Sequence, residues 1–350
     1  MFASLNPLNA RVHAEKDRDV FHAVAGVSLP ESGRAMTDSK SRKPNPKFNL
    51  TMTTPARSLL LTAAALAAPS LALAQPSAHY VPGVEGIKAA SLPPPGVYVR
   101  DYNVFYFSHQ LNDASGHGID AADPNVFIYA NVPRVIWITE TKLLGGYLGM
   151  DALLPLQYTD LQANTPFGRF NDSTFGVGDF FAEGTWSWHV EHFDVSVAYG
   201  VWAPTGDSAP PINTLAGKGF WTQMLTAGAT WYPDKAKKFS VSALSRYEFN
   251  TINGDTGTRP GQAYTLEWGL GYTPCKVAEF GVVGYYQQQT TQDSPSGALS
   301  SKDHVVAIGP EISVTCPRIG LITSLRYLYE VSAVSRFQGQ VVTLTFTKRF

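Results

Sequence analysis

Two cysteines in 350 residues exclude a disulfide-dense scaffold, and with no C-x-x-C motif they make a poor metal site. Charge is scarce too: 16% of residues, against roughly 25% in soluble domains. The formal net charge of -1 gives nucleic acid or any other polyanion nothing to hold. No unbroken apolar run reaches the ~20 residues of a membrane helix. Neither G-x-S-x-G nor a phosphate-binding loop occurs. What the chain does have is aromatic side chains, 12%, and 30 glycines, at a mean hydropathy of only -0.09. That combination arises when apolar and polar residues alternate and cancel in any window, as in transmembrane β-barrels.

The first 74 residues are expected to lie outside the mature fold. Residues 52–74 carry the three parts of a secretory signal peptide. Arg57 supplies the positive start, Leu59–Leu73 the apolar stretch and Ala72-Leu73-Ala74 the cleavage signal, with cutting expected between Ala74 and Gln75. Pro69 interrupts the run, which argues against an uncleaved anchor. Residues 1–51 are polar and irregular, and precede an export signal. They are expected to be a non-native upstream extension, with Met52 or Met36 the true start; a long signal n-region is the alternative. Residues 75–96 end in Ser91-Leu92-Pro93-Pro94-Pro95-Gly96, a stiff polyproline stretch. They form either a periplasmic spacer or a plug folded into the lumen.

From residue 97 onward the period is two. In AYTLEWGLGYT, Tyr264, Leu266, Trp268, Leu270 and Tyr272 share one face, and Thr265, Glu267, Gly269 and Gly271 the other. FSVSALSRYEFN sets Phe239, Val241, Tyr247 and Phe249 against Ser240, Ser242, Arg246 and Glu248. Aromatics fall near the ends of the apolar rows, as interfacial girdles require. The segments are 97–107, 125–138, 144–161, 176–188, 192–203, 220–232, 238–249, 262–273, 278–289, 304–316, 319–330 and 339–350. Pro133 and Pro155 disturb two of them. Short connections alternate with long ones near 108–124, 162–175, 204–219, 250–261, 290–303 and 331–338. The predicted fold is all-β: one antiparallel outer-membrane barrel of about twelve strands over 97–350, surrounded by outer-membrane lipid.

Several stretches in order resemble the bacterial outer-membrane proteins of the meta-pathway of phenol degradation. They include LPPPGVYVRDYNVFYFS (92–108), FGVGDFF (175–181), WAPTGDS (202–208), SRYEFNTINGDTGTRPGQAYTLEWGLGY (245–272), GVVGYYQQQTTQDS (281–294) and VVAIGPEISV (305–314). The resemblance implies a barrel that passes small hydrophobic or aromatic ligands during aromatic or hydrocarbon catabolism. The last strand, GQVVTLTFTKRF, alternates Val342, Leu344 and Phe346 with threonines and ends on Phe350. It resembles the insertion signal read by the barrel assembly machinery, with Lys348 a departure from the usual apolar residue.

The inward row carries Asp179, Glu183, Arg246, Glu248, Glu267, Glu311 and Arg326, because Arg or Lys at the lipid midplane costs roughly 2–4 kcal/mol. Two readings stand: an ion-pair network filling a narrow barrel, or a polar constriction on a substrate path. The loop HQLNDASGHGIDAAD holds His109, Asp113, His117, Asp120 and Asp123, but its spacing matches no metal loop and a solvated loop explains it. A disulfide between Cys275 and Cys316 is expected, because both fall at the same periplasmic rim in an oxidising compartment, although two strands' separation across the sheet requires the turns to lean together. Passive transport without cofactor or metal is the expected function. The alternatives are a structural or adhesive barrel and, less favoured, a lipid-modifying enzyme; only His304 sits at an external strand edge, with no serine at a recognisable spacing.

Overall fold

Alternation of apolar and polar residues gives each segment one face for lipid and one for the interior. In the computed structural model, residues 78–119, 123–165, 168–208, 214–295 and 301–350 are described. The expected cleavage site at Ala74 and Gln75, and regions 1–51 and 52–74, lie outside them. The strands are β1 (Gly96–Leu111), β2 (Pro124–Leu143), β3 (Gly146–Leu153), β4 (Leu156–Thr165), β5 (Gly168–Val177), β6 (Phe180–His189) and β7 (Phe193–Ala203). There follow β8 (Thr222–Trp231), β9 (Phe239–Asn250), β10 (Ala263–Cys275), β11 (Ala278–Gln289), β12 (His304–Cys316), β13 (Leu321–Val334) and β14 (Phe337–Arg349).

All pairings are antiparallel, and β1 pairs with both β14 and β2, so the sheet closes. Closure leaves no sheet edge in the hydrocarbon, where each unpaired backbone group costs several kcal/mol. The barrel has twelve staves, because two are broken. β3 and β4 are halves of one stave, and both pair with β2. β5 and β6 are halves of the next, pairing with β4 and β3 respectively.

The break has a chemical cause. Pro155 has no N–H to give a ladder, and β2 changes partner at Val132-Pro133, from β4 to β3. The Gly178 N–H donates to the Pro155 carbonyl at 2.8 Å, tying the two breaks together. A Cβ on Gly178 would lie 3.1 Å from the Pro155 ring, so the contact favours glycine. Beyond the break, β5 pairs with β4 alone. The loop after β7 lies along its other side, with Thr214 Oγ1 donating to Asp172 at 2.8 Å.

The faces fall as the alternation predicts. Phe239, Val241 and Phe249 point outward, while Ser240, Ser242, Arg246 and Glu248 are buried inside. Phe239 and Tyr272 stand opposite one another with rings 4.9 Å apart, part of one girdle. On β14 the threonines at 343, 345 and 347 are buried, and Leu344 and Phe346 lie on the outer row. Phe350 lies exposed, its N–H bonded to the Val97 carbonyl at 2.9 Å.

Three expectations need correction. The long connection at 162–175 is a strand hairpin, β4 to β5, and the one at 331–338 shrinks to Ser335-Arg336 between β13 and β14. In both, ladder pairing extends strands past the polar residues that read as loop: β4 with β5 in the first, β13 with β12 and β14 with β1 in the second. Asp160 on β4 has outward parity, and so does Asp101 on β1, which sits on the lipid side of the wall beside Phe346 in register. Asp101 is tolerated there because Asn103 and Asn131 each donate a side-chain N–H to it, at 2.9 and 2.8 Å. The third concerns the cysteines: both are free and exposed. Cys275 ends β10 and Cys316 ends β12, with β11 between them. Two strand spacings amount to about 10 Å, beyond the roughly 7 Å between Cα atoms that a bridge spans. In natively purified protein, both thiols should therefore take up maleimide without prior reduction. A cross-linked Cys275–Cys316 tryptic pair in non-reducing mass spectrometry would overturn this topology.

Candidate functional site in the barrel lumen

The inward row of a barrel must satisfy its own polar groups. Here much of that is done by residues 78–95, which meet side chains from several staves. Glu248 of β9 accepts the backbone N–H groups of His79 and Tyr80, both at 3.0 Å. Glu267 of β10 accepts those of Gly83 and Glu85 at 2.9 and 3.1 Å, and the Tyr80 hydroxyl at 2.6 Å. Glu311 of β12 accepts that of Ile87 at 2.8 Å. Arg326 of β13, paired with Glu311 through both nitrogens at 3.0 Å, donates to the Gly83 carbonyl at 2.6 Å. Hydrogen bonds to charged groups are each worth about 1.5–3 kcal/mol, so the strip grips this backbone whatever its side chains.

Two glycines allow the close approach. A Cβ on Gly86 would overlap the Glu311 carboxylate and the Arg326 guanidinium, and neither can step aside without breaking their pair. Gly83 has φ +86°, a left-handed conformation that favours glycine.

Side chains of the segment complete the network. Glu85 meets Arg134 at 3.0 Å and Arg100 at 3.1 Å, with Arg246 at 4.0 Å. Burial alone would raise its carboxyl; these three guanidinium groups outweigh that and hold it below the ordinary range. Arg134 also pairs with Asp151 at 2.8 Å and Glu183 at 2.7 Å. Arg246 binds Glu267 and lies 4.0 Å over the Tyr80 ring. His79 stacks on Trp202, with Phe220 at its edge, and reaches Asp179 at 2.9 Å. Burial pushes its imidazole down to about 4 despite that bond, so the ring is neutral at neutral pH. Asp179, at the broken stave, also accepts the N–H groups of Gly206 and Lys218 at 2.9 and 2.8 Å, fastening the loop after β7.

All seven charged residues expected in the lumen are thus buried and inward. Six touch residues 79–87 directly; Glu183 does so through Arg134. Sequence reasoning missed Arg134, Asp151, Arg100 and Glu85. The parity of Arg134 was hidden because β2 is apolar on both faces: Ile136 and Ile138 are buried, while Val135 and Trp137 are exposed. The network also separates two cavities. Val84, Tyr102, Arg134, Glu183 and Arg246 border both. The cavity on the external-loop side, about 290 Å³, is walled by Val104, Val126, Ile128, Ala130, Leu161 and Val341. The other, about 230 Å³, is more polar, with Lys88, Ser91, Arg100, Thr185, Ser324 and Thr347 in its wall beside Ile87, Leu92 and Ile136. Among the described residues no group of His, Cys, Asp and Glu is placed to hold a metal ion.

Comparison with known proteins agrees with this architecture. The COG4313 outer membrane channel from Pseudomonas putida F1 is similar at 13% identity and a TM-score of 0.63, over 78% of this chain and all of that one. That is a likeness of fold. The beta domain of the Bordetella autotransporter BrkA (11% identity, TM-score 0.45, 73% of this chain and 99% of that) and the CymD monoaromatic hydrocarbon channel (10%, 0.36, 73% and 89%) are too distant to carry an argument. No curated protein matches the chain. A closed barrel with an apolar outer band belongs in a bacterial outer membrane. A family model described as "Putative MetA-pathway of phenol degradation" matches residues 108–346, more than half the chain, and the protein belongs to that family.

Proposed function

We propose that the protein is an outer-membrane channel for passive uptake of small hydrophobic or aromatic compounds. The observation that carries this reading is the apolar cavity of about 290 Å³ in the external half of the lumen. General porins keep a polar, water-filled lumen. Apolar walls inside a barrel, where polar side chains would be free of penalty, instead favour an apolar passenger. The cavity is at the small end of ligand pockets, which suits a single-ring compound. The family description, with its reference to phenol degradation, supports the aromatic class. Transport needs no bond made or broken, and nothing in the arrangement calls for a cofactor.

Residues 78–95 stand in the path, and in this reading they are a plug. A ligand collects in the apolar cavity and leaves past the plug to the periplasm, or sideways into the membrane beside β5, where loop replaces strand in the wall. The Phe350 strand is the assembly signal in the same reading, and has no part in transport.

Liposomes containing the purified protein should take up phenol and toluene saturably. Uptake no faster than in empty liposomes would remove the channel reading, and release of fatty acid from the lipid would point to an enzyme. The plug has separate tests. Deleting residues 78–95, or changing Gly86→Ala, should raise planar-bilayer conductance while the barrel stays folded and heat-modifiable. Unchanged conductance in both would leave the segment a spacer. Docking should also depend on pH. His79 binds its proton more weakly when docked, so its contribution is full above the ordinary pKa of 6.5 and is lost as pH falls from there toward about 4. Protease cleavage within the segment should become easier over that window, and less so in His79→Phe.

A further inference from the structure

The periplasmic rim, which holds the short turns and the chain end, is basic, and most of its cations are exposed. Lys142 lies in the last turnward residues of β2, and Lys235, Lys237 and Lys238 between β8 and β9. Lys276 follows β10, and Arg318 follows β12. Lys348 and Arg349 end the last strand. The acids at this end are fewer: Glu140, Glu191 and Asp234 on the rim, and just inside it Asp194, 3.9 Å from Lys237, and Glu279, paired with Lys88 at 2.6 Å. Asp234 is already engaged by the backbone N–H groups of Lys238 and Phe239 at 2.9 and 2.8 Å, and Glu191 lies near Lys235 at 3.8 Å. Some cations are also occupied: Lys237 lies 4.4 Å over Tyr232, and Arg349 donates to the Pro95 carbonyl at 3.1 Å. The side chains of Lys238, Lys276 and Arg318 are exposed and make no hydrogen bond or ion pair with the described residues.

Beside these cations the turns carry bare apolar side chains. Leu144 is 82% exposed, and Val190, Val277, Ile319 and Phe350 are exposed as well. An apolar tip next to a cation is the arrangement of a lipid-water interface, where the tip enters the acyl boundary and the cation reaches the headgroups. At the external end the exposed charges balance, with Asp123, Asp207 and Asp255 against Arg169, Arg259 and Lys302. Cationic groups on a rim at headgroup level, unpaired within the protein, are complementary to phosphate esters that carry net negative charge.

We propose that the periplasmic rim is a binding surface for anionic phospholipid headgroups of the inner leaflet, with Lys238, Lys276 and Arg318 as principal contacts. The exposed apolar tips hold the turns at headgroup depth, which places these three cations among the phosphates. The surface lies on the opposite side of the charge network from the apolar cavity, and does not depend on what the channel carries.

The test is native mass spectrometry of the full chain, released from micelles with phosphatidylglycerol or phosphatidylcholine of identical acyl chains. The natural protein should retain phosphatidylglycerol at least about fivefold more than phosphatidylcholine, as expected for one unpaired cation at an anionic surface. The triple variant Lys238→Gln, Lys276→Gln, Arg318→Gln should lose the preference while remaining heat-modifiable. A control needs no variant: raising salt to about 0.5 M before release should erase the preference of the natural protein. Equal retention of the two lipids by the natural protein would overturn the proposal, as would a preference that survives both the triple variant and high salt.

Discussion

Lipid offers no hydrogen bonds. That single constraint forces β1 to find both β14 and β2, and it forces nearly every charge in the wall to the inside. Once inside, the charges face a second demand, because a buried ion without partners costs several kcal/mol. Side chains across the lumen meet part of it, as Arg326 and Glu311 do for one another. The remainder falls to a piece of main chain. Glu248 and Glu267 each accept two backbone N–H groups; for Glu267 these add to its pair with Arg246, and for Glu248 they satisfy Oε1. Residues 78–95 are therefore part of the electrostatic completion of the barrel as well as an object inside it.

The same constraint explains where the wall is irregular. Pro155 cannot pair, so a stave breaks, and the break lets Asp179 turn inward and fasten both His79 and the loop after β7. A defect in the ladder thus becomes the point where residues 78–95, wall and external loop meet. Asp101 is the other irregularity. Its carboxylate faces lipid and is answered locally by two asparagine amides, at the level of Leu344 and Phe346.

How far the sequence was legible follows from the same physics. Where one face meets lipid and the other meets polar side chains, period two is plain: β9 and β10 were read residue by residue, and their inward Arg246, Glu248 and Glu267 were found in advance. Where the interior is itself apolar, the signal vanishes. β2 has Val126, Ile128, Ala130 and Val132 toward the cavity and Val135 and Trp137 toward lipid. Alternation cannot mark its faces, and Arg134 was lost with it. The apolar cavity is thus the feature that erases its own sequence pattern. Glu85 was missed for a different reason: it lies before the first strand, where no period applies, and only the fold brings Arg100, Arg134 and Arg246 around it. The cysteines show the limit of counting strands: the rim was right, but proximity at a rim is not contact.

The septum between the two cavities sets what a passage through the lumen has to disturb. Its members are shared: Glu85 is held by three arginines, Arg134 by three acids. A group held on several sides can lose one partner and keep its charge compensated by the others, provided that the movement is small. Full withdrawal of the segment is different. It would expose Glu248, Glu267 and Glu311 at once, and leave their negative charge to water entering the lumen. Such an opening is self-limiting in dry surroundings and becomes easier once the lumen is wet. A single apolar molecule in the upper cavity displaces water and does not bring it in, so it leaves the septum's electrostatics closed. The geometry therefore favours small adjustments of Tyr80, Val84 and their neighbours during passage over expulsion of the whole segment. The solutes that fit the upper cavity would be those that carry no water with them.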